Sequence, residues 1–140
     1  MVNNILVPTD GSKGAERGVE HALGLAEKEG ARLHTLFVVD ERIYGQTPAL
    51  SSDELFLEDI QTRGDKLLEQ IVRKAERRGI EATAECGRGV PHEVILKCSQ
   101  QNDIDLIVMG QHGLSKSRSL HPGSSTDRVT RLATVPVISA

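Results

Sequence analysis

A chain of 140 residues is long enough for one domain, residues 1–140, with a core that needs no disulfide or metal staple. Its 17 basic and 20 acidic residues leave a net charge of −3, with no basic block for nucleic acid and no acidic tail. No secretory segment and no bilayer-spanning apolar run occurs, so a soluble, cytoplasmic protein without membrane or nucleic-acid partners is expected.

Ile5, Leu6 and Val7 make a short apolar strand ended by Pro8. Ser12 is a candidate N-cap, and Ala15, Val19, Ala22, Leu23 and Ala26 then recur at helical spacing until Gly30. Residues 33–39 are β-rich and mostly apolar, a second strand. Gly45 and Pro48 mark residues 40–52 as a loop. A long helix follows, with Ile60, Leu67, Leu68, Ile71, Val72 and Ala75 on one face, and Gly79 ends it. Residues 80–86 alternate loosely, as a third and outer strand, and residues 87–89 read as a turn. Pro91 suits the first turn of a helix, where its missing N–H costs nothing, and Val94, Ile95 and Cys98 face inward. Residues 106–109 are a buried fourth strand. Residues 126–133 are a last helix with Val129, Leu132 and Ala133 apolar, and residues 135–138 a fifth strand.

Strands alternating with helices predict an α/β fold: one doubly wound domain, a parallel sheet covered on both faces. Right-handed crossovers limit the topology, and the expected order of the five strands is 3-2-1-4-5. The order reverses between the first and fourth strands, so a crevice opens at their C-terminal ends. The loops there are residues 8–12 and 110–123.

Those loops hold the chemistry. Val108-Met109-Gly110-Gln111-His112-Gly113 leaves the fourth strand, and Gly123-Ser124-Ser125-Thr126 enters the last helix. Glycine lets backbone N–H groups approach a ligand, and a helix N-terminus offers unpaired N–H groups and partial positive charge to an anion. Gly110, Gly113 and Gly123 therefore form a phosphate cradle in this frame, although any one of them alone is an ordinary turn glycine. Ser124, Ser125 and Thr126 have hydroxyls for phosphate oxygens, while Ser124 also suits an N-cap with Asp127 three residues on. Asp10, at the end of the first strand, is placed to hold Mg²⁺ through water, to bond a ribose, or to cap the first helix. His112 lies inside the cradle and either donates to a phosphate or faces solvent. Lys116 and Arg118 are phosphate partners or solvated charges. Cys86 and Cys98 fit no metal or redox spacing and read as two reduced thiols. His21, His34, His92, His112 and His121 show no paired metal spacing, so no metal site made by protein side chains is expected. Only Phe37, Tyr44 and Phe56 are aromatic, so an adenine ring would rest between aliphatic side chains.

Gly, two residues, Gly, nine residues, Gly-Ser resembles the nucleotide-binding signature of the universal stress protein family, in its ATP-binding branch. The resemblance covers the chain: Ile5-Leu6-Val7-Pro8-Thr9-Asp10-Gly11-Ser12, Phe37-Val38-Val39-Asp40 and Val135-Pro136-Val137-Ile138 are similar to the family's first, second and closing strands. It implies an ATP-binding regulator of the stress response with slow or no hydrolysis, ATP and Mg²⁺ as its ligands, and no catalytic residue. It implies that Pro8, Thr9 and Val38 line adenine and ribose, that Asp10 lies in the pocket, and that Met109 leads into the cradle. It also implies a homodimer paired through the last strand. His121 and Pro122 replace aliphatic residues usual in the family, and Leu114 stands where relatives are often basic; both bear on affinity and nucleotide preference.

An enzyme of the related superfamily, an adenylyl transferase or ATP pyrophosphatase, is the alternative. Gln111-His112-Gly113 is not a His-x-Gly-His signature, Asp10-Gly11-Ser12-Lys13-Gly14 only faintly resembles a Ser-Gly-Gly loop, and no Gly-Lys-Ser/Thr loop occurs. A phospho-receiver module would need an aspartate after the third strand, where Cys86-Gly87-Arg88 stands.

Overall fold

The computed structural model describes residues 2–40, 50–110 and 124–140. The elements run β1 (Asn4–Thr9), α1 (Lys13–Glu29), β2 (Arg32–Asp40), α2 (Leu50–Arg77), β3 (Ala82–Gly89), α3 (Pro91–Gln101), β4 (Leu106–Met109), α4 (Ser124–Leu132) and β5 (Val137–Ser139). The five strands form one parallel sheet in the expected order, β3-β2-β1-β4-β5.

Local chemistry sets the helix limits. The Ser12 hydroxyl accepts from the Ala15 N–H at 3.2 Å and starts α1. Gly30, at φ 68°, closes it in the left-handed conformation that glycine adopts without strain. Pro91 opens α3 behind Val90. The alternation of strand side chains then divides the core in two. Ile5, Val7, Leu33 and Val108 face α1 and α2, where Val19, Leu23, Ile71 and Ala75 cover them. Leu6, Leu36, Ile107 and Met109 face α3 and α4, against Ile95, Cys98 and Val129. The Asp105 carboxylate accepts from the N–H groups of Asn3 and Asn4 at 2.9 and 2.8 Å, which pins the start of β1 beside β4.

Several sequence expectations need correction. Pro8 does not end β1: it is paired with Leu36, and the ladder runs on to Thr9 opposite Phe37. A missing donor is tolerated there because the strand is one residue from its end. Residues 87–89 are strand rather than turn, since β2 extends to Asp40 and offers its edge as far as Gly89. Glycine suits position 87 because a Cβ there would lie 2.9 Å from Val94 Cγ1 of α3. The loop expected over residues 40–52 loses Asp40 to β2 and residues 50–52 to α2, and residues 41–49 lie outside the described residues. The last strand starts at Val137, after Pro136, whose carbonyl accepts from Ile107 N–H at 3.0 Å. Leu132, expected on the apolar side of α4, is 60 % exposed, because the helix ends there and Val129 fills the core position one turn earlier.

Two buried features carry a cost. The Thr35 hydroxyl, in a residue 1 % exposed, has no hydrogen-bond partner among the described residues. Gly64 stands mid-helix in α2, where glycine costs about 1 kcal/mol relative to alanine. A Cβ at Gly64 would lie 2.4 Å from Cδ1 of Phe37, so the ring occupies the space a side chain would need.

Candidate functional site

The reversal of strand order between β1 and β4 places the crevice at their C-terminal ends, where Asp10 and Gly110 follow. Gly110 packs directly on the first turn of α1. A Cβ on it would lie 2.3 Å from Gly14 O, 2.6 Å from Gly14 C and 2.8 Å from Ala15 N. A Cβ on Gly18, one turn further along α1, would in turn lie 3.1 Å from Gly110 N. From the other side, the Thr126 hydroxyl in the first turn of α4 donates to Gly110 O at 3.2 Å. The N-terminal turns of α1 and α4 thus meet at one residue. Each carries partial positive charge and N–H groups without intrahelical partners, so the meeting point favours an anion.

The loop after β1 is held by its own side chains. Thr9 Oγ1 accepts from the Gly11 N–H at 3.2 Å, and Asp10 Oδ1 accepts from the Ser12 N–H at 2.8 Å. Gly11 has φ +82°, the turn that this pair of bonds requires. Asp10 itself is solvent-exposed. Of its three sequence roles, capping falls away, since Ser12 is the N-cap of α1.

Strand alternation sorts the remaining residues. Met109 and Val38 pack on the α3–α4 side of the sheet, and Pro8 shares that side with Leu6. They bring three apolar side chains to the ends of adjacent strands. Thr9 faces the other way, into a cleft of about 260 Å³ between α1 and α2 that Glu16, Glu20, Gln70 and Lys74 also line. Phe37 likewise lies on the α2 side, with its ring on Gly64, and is not available to stack on a base at Val38. Among the described residues the apolar side chains beside the crevice are therefore aliphatic, as the aromatic-poor sequence requires.

The structure brings together Pro8, Asp10, Val38, Met109, Gly110 and Thr126, with the partly buried Ser125 in the same turn of α4. Ser124 is the first residue of α4, and Asp127 pairs with Arg131 at 3.1 Å. His112, Gly113 and Gly123, with Leu114, Lys116, Arg118, His121 and Pro122, lie outside the described residues. Sequence reasoning missed Gly14 and Gly18, though two glycines four apart on one helix face are the pattern that lets a backbone approach.

The two thiols supply no nucleophile. Burial pushes Cys98 up to about 11, with Glu85 adding to the shift, and burial and Asp65 raise Cys86. Both are free and protonated near neutrality. Among the described residues no group of three or more His, Cys, Asp or Glu side chains is arranged to hold a metal, and no helix is long and apolar enough to cross a membrane.

Comparison with known proteins agrees with this architecture. The model of the universal stress protein family matches residues 1–139. A universal stress protein of Methanocaldococcus jannaschii is 31% identical over 138 residues, covering 99% of this chain and 81% of that protein. The universal stress protein YxiE of Bacillus subtilis is 30% identical, covering 99% of this chain and 98% of that protein. Among solved structures, universal stress protein UspA from Lactobacillus plantarum superposes with a TM-score of 0.89 at 30% identity, covering 99% of this chain and 97% of that one.

Proposed function

The chain belongs to the universal stress protein family, and we propose that it is a nucleotide-dependent regulator that binds ATP with Mg²⁺ at the ends of β1 and β4. The observation that carries this reading is the meeting of the α1 and α4 N-termini at Gly110, beside three aliphatic side chains and an exposed carboxylate. An adenine nucleotide needs those three kinds of group: an apolar slot, an anion site, and an acid for ribose or a hydrated cation.

In this reading Pro8, Val38 and Met109 hold the base, and the Thr9–Asp10 segment holds the ribose. Asp10 keeps one carboxylate oxygen on the Ser12 N–H and turns the other to ribose or hydrated Mg²⁺. Gly110, Gly113, Gly123, Ser124, Ser125 and Thr126 hold the phosphates, with His112 as a further donor. The Mg²⁺ supplies charge neutralisation to the phosphates. A universal stress protein solved in complex with cAMP shares the fold at 22% identity and a TM-score of 0.71, and one from Archaeoglobus fulgidus in complex with dAMP at 19% and 0.67. At those identities the fold is common ground, and the nucleotide reading rests on the residues above.

Hydrolysis is slow or absent in this account. It needs a fixed base and charge stabilisation on the transferred phosphoryl. Asp10, at the ribose end and already bonded to its own loop, is no such base. Binding groups without one stabilise ground and transition states alike. The nucleotide then persists and alters the surface that residues 110–123 present to a partner. A homodimer paired through β5 completes the proposal: the exposed Leu132 lies at the end of the helix leading into that edge strand, and an uncovered edge favours pairing with its copy.

Mass spectrometry of the purified protein tests the nucleotide reading, with carried-over ATP as the expected result. Steady-state turnover above about one per second, lost in a folded His112→Ala variant, would show an enzyme instead. Pyrophosphate release would identify the adenylyl transferase or pyrophosphatase alternative.

A further inference from the structure

Two close contacts of α2 reach the segments on either side of the proposed base and ribose site. At Gly64 the ring of Phe37 lies so near that an added Cβ would fall 2.4, 2.7 and 2.8 Å from three of its carbons. Phe37 is paired with Thr9 across the β1–β2 ladder, and the next residue along its strand is Val38. One turn further along α2, Leu67 Cδ2 is 3.4 Å from where a Cβ on Gly11 would lie, so it abuts the loop that carries Asp10. That loop is tied together by the Thr9–Gly11 and Asp10–Ser12 hydrogen bonds. The α2 helix is itself braced against β3 by Arg88, which donates twice to Gln61 Oε1 at 3.1 and 2.9 Å, and Arg78, the residue after the helix, pairs with Glu27 of α1 at 3.0 Å.

We propose that α2 sets the width of the base and ribose site, and that Gly64, Leu67 and Phe37 are positioning residues for the nucleotide. This rests on the nucleotide reading above. None of the three touches the ligand. Gly64 fixes how closely the end of β2 approaches the helix, and Leu67 fixes the loop after β1 against the same helix. The distance from Val38 to Asp10 therefore follows from one rigid element. The phosphate end depends on Gly110, α4 and the first turn of α1; Leu67 reaches the loop that leads into α1, while the Gly64–Phe37 contact lies on β2, away from Gly110.

That separation gives the test. Calorimetry with ATP and with inorganic tripolyphosphate is carried out on the wild type, Gly64→Ala, and Gly64→Ala combined with Phe37→Leu. Gly64→Ala is expected to weaken ATP at least about tenfold and to leave tripolyphosphate within about twofold, since only the base end is displaced. The smaller Leu side chain at position 37 is expected to restore most of the ATP affinity, a rescue that general damage to the fold would not show. If Gly64→Ala does not fold, the single variant Phe37→Leu, which removes bulk on β2 instead of adding it on α2, is expected to weaken ATP alone. Equal loss of both ligands, unchanged ATP affinity in a folded variant, or failure of the rescue overturns the positioning role. Failure of the wild type to bind ATP overturns the nucleotide reading itself, a result distinct from any of these.

Discussion

Gly110→Ala tests the packing that holds the crevice together. The new Cβ would sit 2.3 Å from Gly14 O and 2.6 Å from Gly14 C. Non-bonded contacts of this kind relax near about 3.5 Å, so β4 and α1 must separate by roughly 1 Å. The obstacle is backbone on a capped helix and cannot rotate away, and such overpacking costs about 1–3 kcal/mol. Restricting the unfolded chain returns only about 0.4–1 kcal/mol. A net loss of about 1–2 kcal/mol is expected. Gly24→Ala is the control. It lies on the same helix with nothing within 4 Å of the added Cβ, and is expected to stabilise by about 0.5–1 kcal/mol. Urea unfolding of both variants reads these changes as opposite shifts in midpoint at constant slope. A Gly110→Ala protein as stable as the wild type would refute the close approach of β4 to α1.

Thr35→Val replaces a buried hydroxyl that has no partner among the described residues with a methyl of similar size and is expected to stabilise by about 1 kcal/mol; a loss of stability by urea unfolding would mean the hydroxyl has a partner. His34 is held below its ordinary value of 6.5 by burial first and Arg32 second, against Glu85, while its Nδ1 lies 2.6 Å from Thr83 Oγ1. The folded state thus binds fewer protons, so its stability is intact above about pH 6.5 and falls as pH drops below it. The urea midpoint of His34→Gln should fall less between about pH 7 and pH 5.5 than that of the wild type, and an equal fall in both would remove His34 as the cause. Light scattering at micromolar concentration is expected to give the mass of a dimer; a monomer mass counts against pairing through β5.

Much of the fold was legible because its signals are local. Ser12, Gly30 and Pro91 act within one helical turn, and the apolar spacing of α1 names the residues that are buried. The parallel sheet followed from the alternation of elements, and the handedness of the crossovers limited its strand order. Pro8 and residues 87–89 were misread because Pro and Gly signal breaks, while the neighbouring strand decides whether a ladder continues. At the candidate site, Asp10, Gly110 and Thr126 were singled out by position and chemistry, and the structure gathers them at the ends of β1 and β4. The packing role of Gly110 was hidden, since it depends on a tertiary contact with Gly14. The opposite facing of Thr9 and Val38 was available from strand parity, but only once the register had been set.

The most direct measurement of the central claim is a calorimetric titration of ATP with Mg²⁺ into the wild type and into Gly113→Val. A side chain at position 113 would stand where backbone must approach phosphate. Saturable binding by the wild type and a loss of at least about tenfold, roughly 1.4 kcal/mol, in the variant are expected. No binding by the wild type, or equal affinity in a folded Gly113→Val protein, would contradict a nucleotide held by the glycine frame.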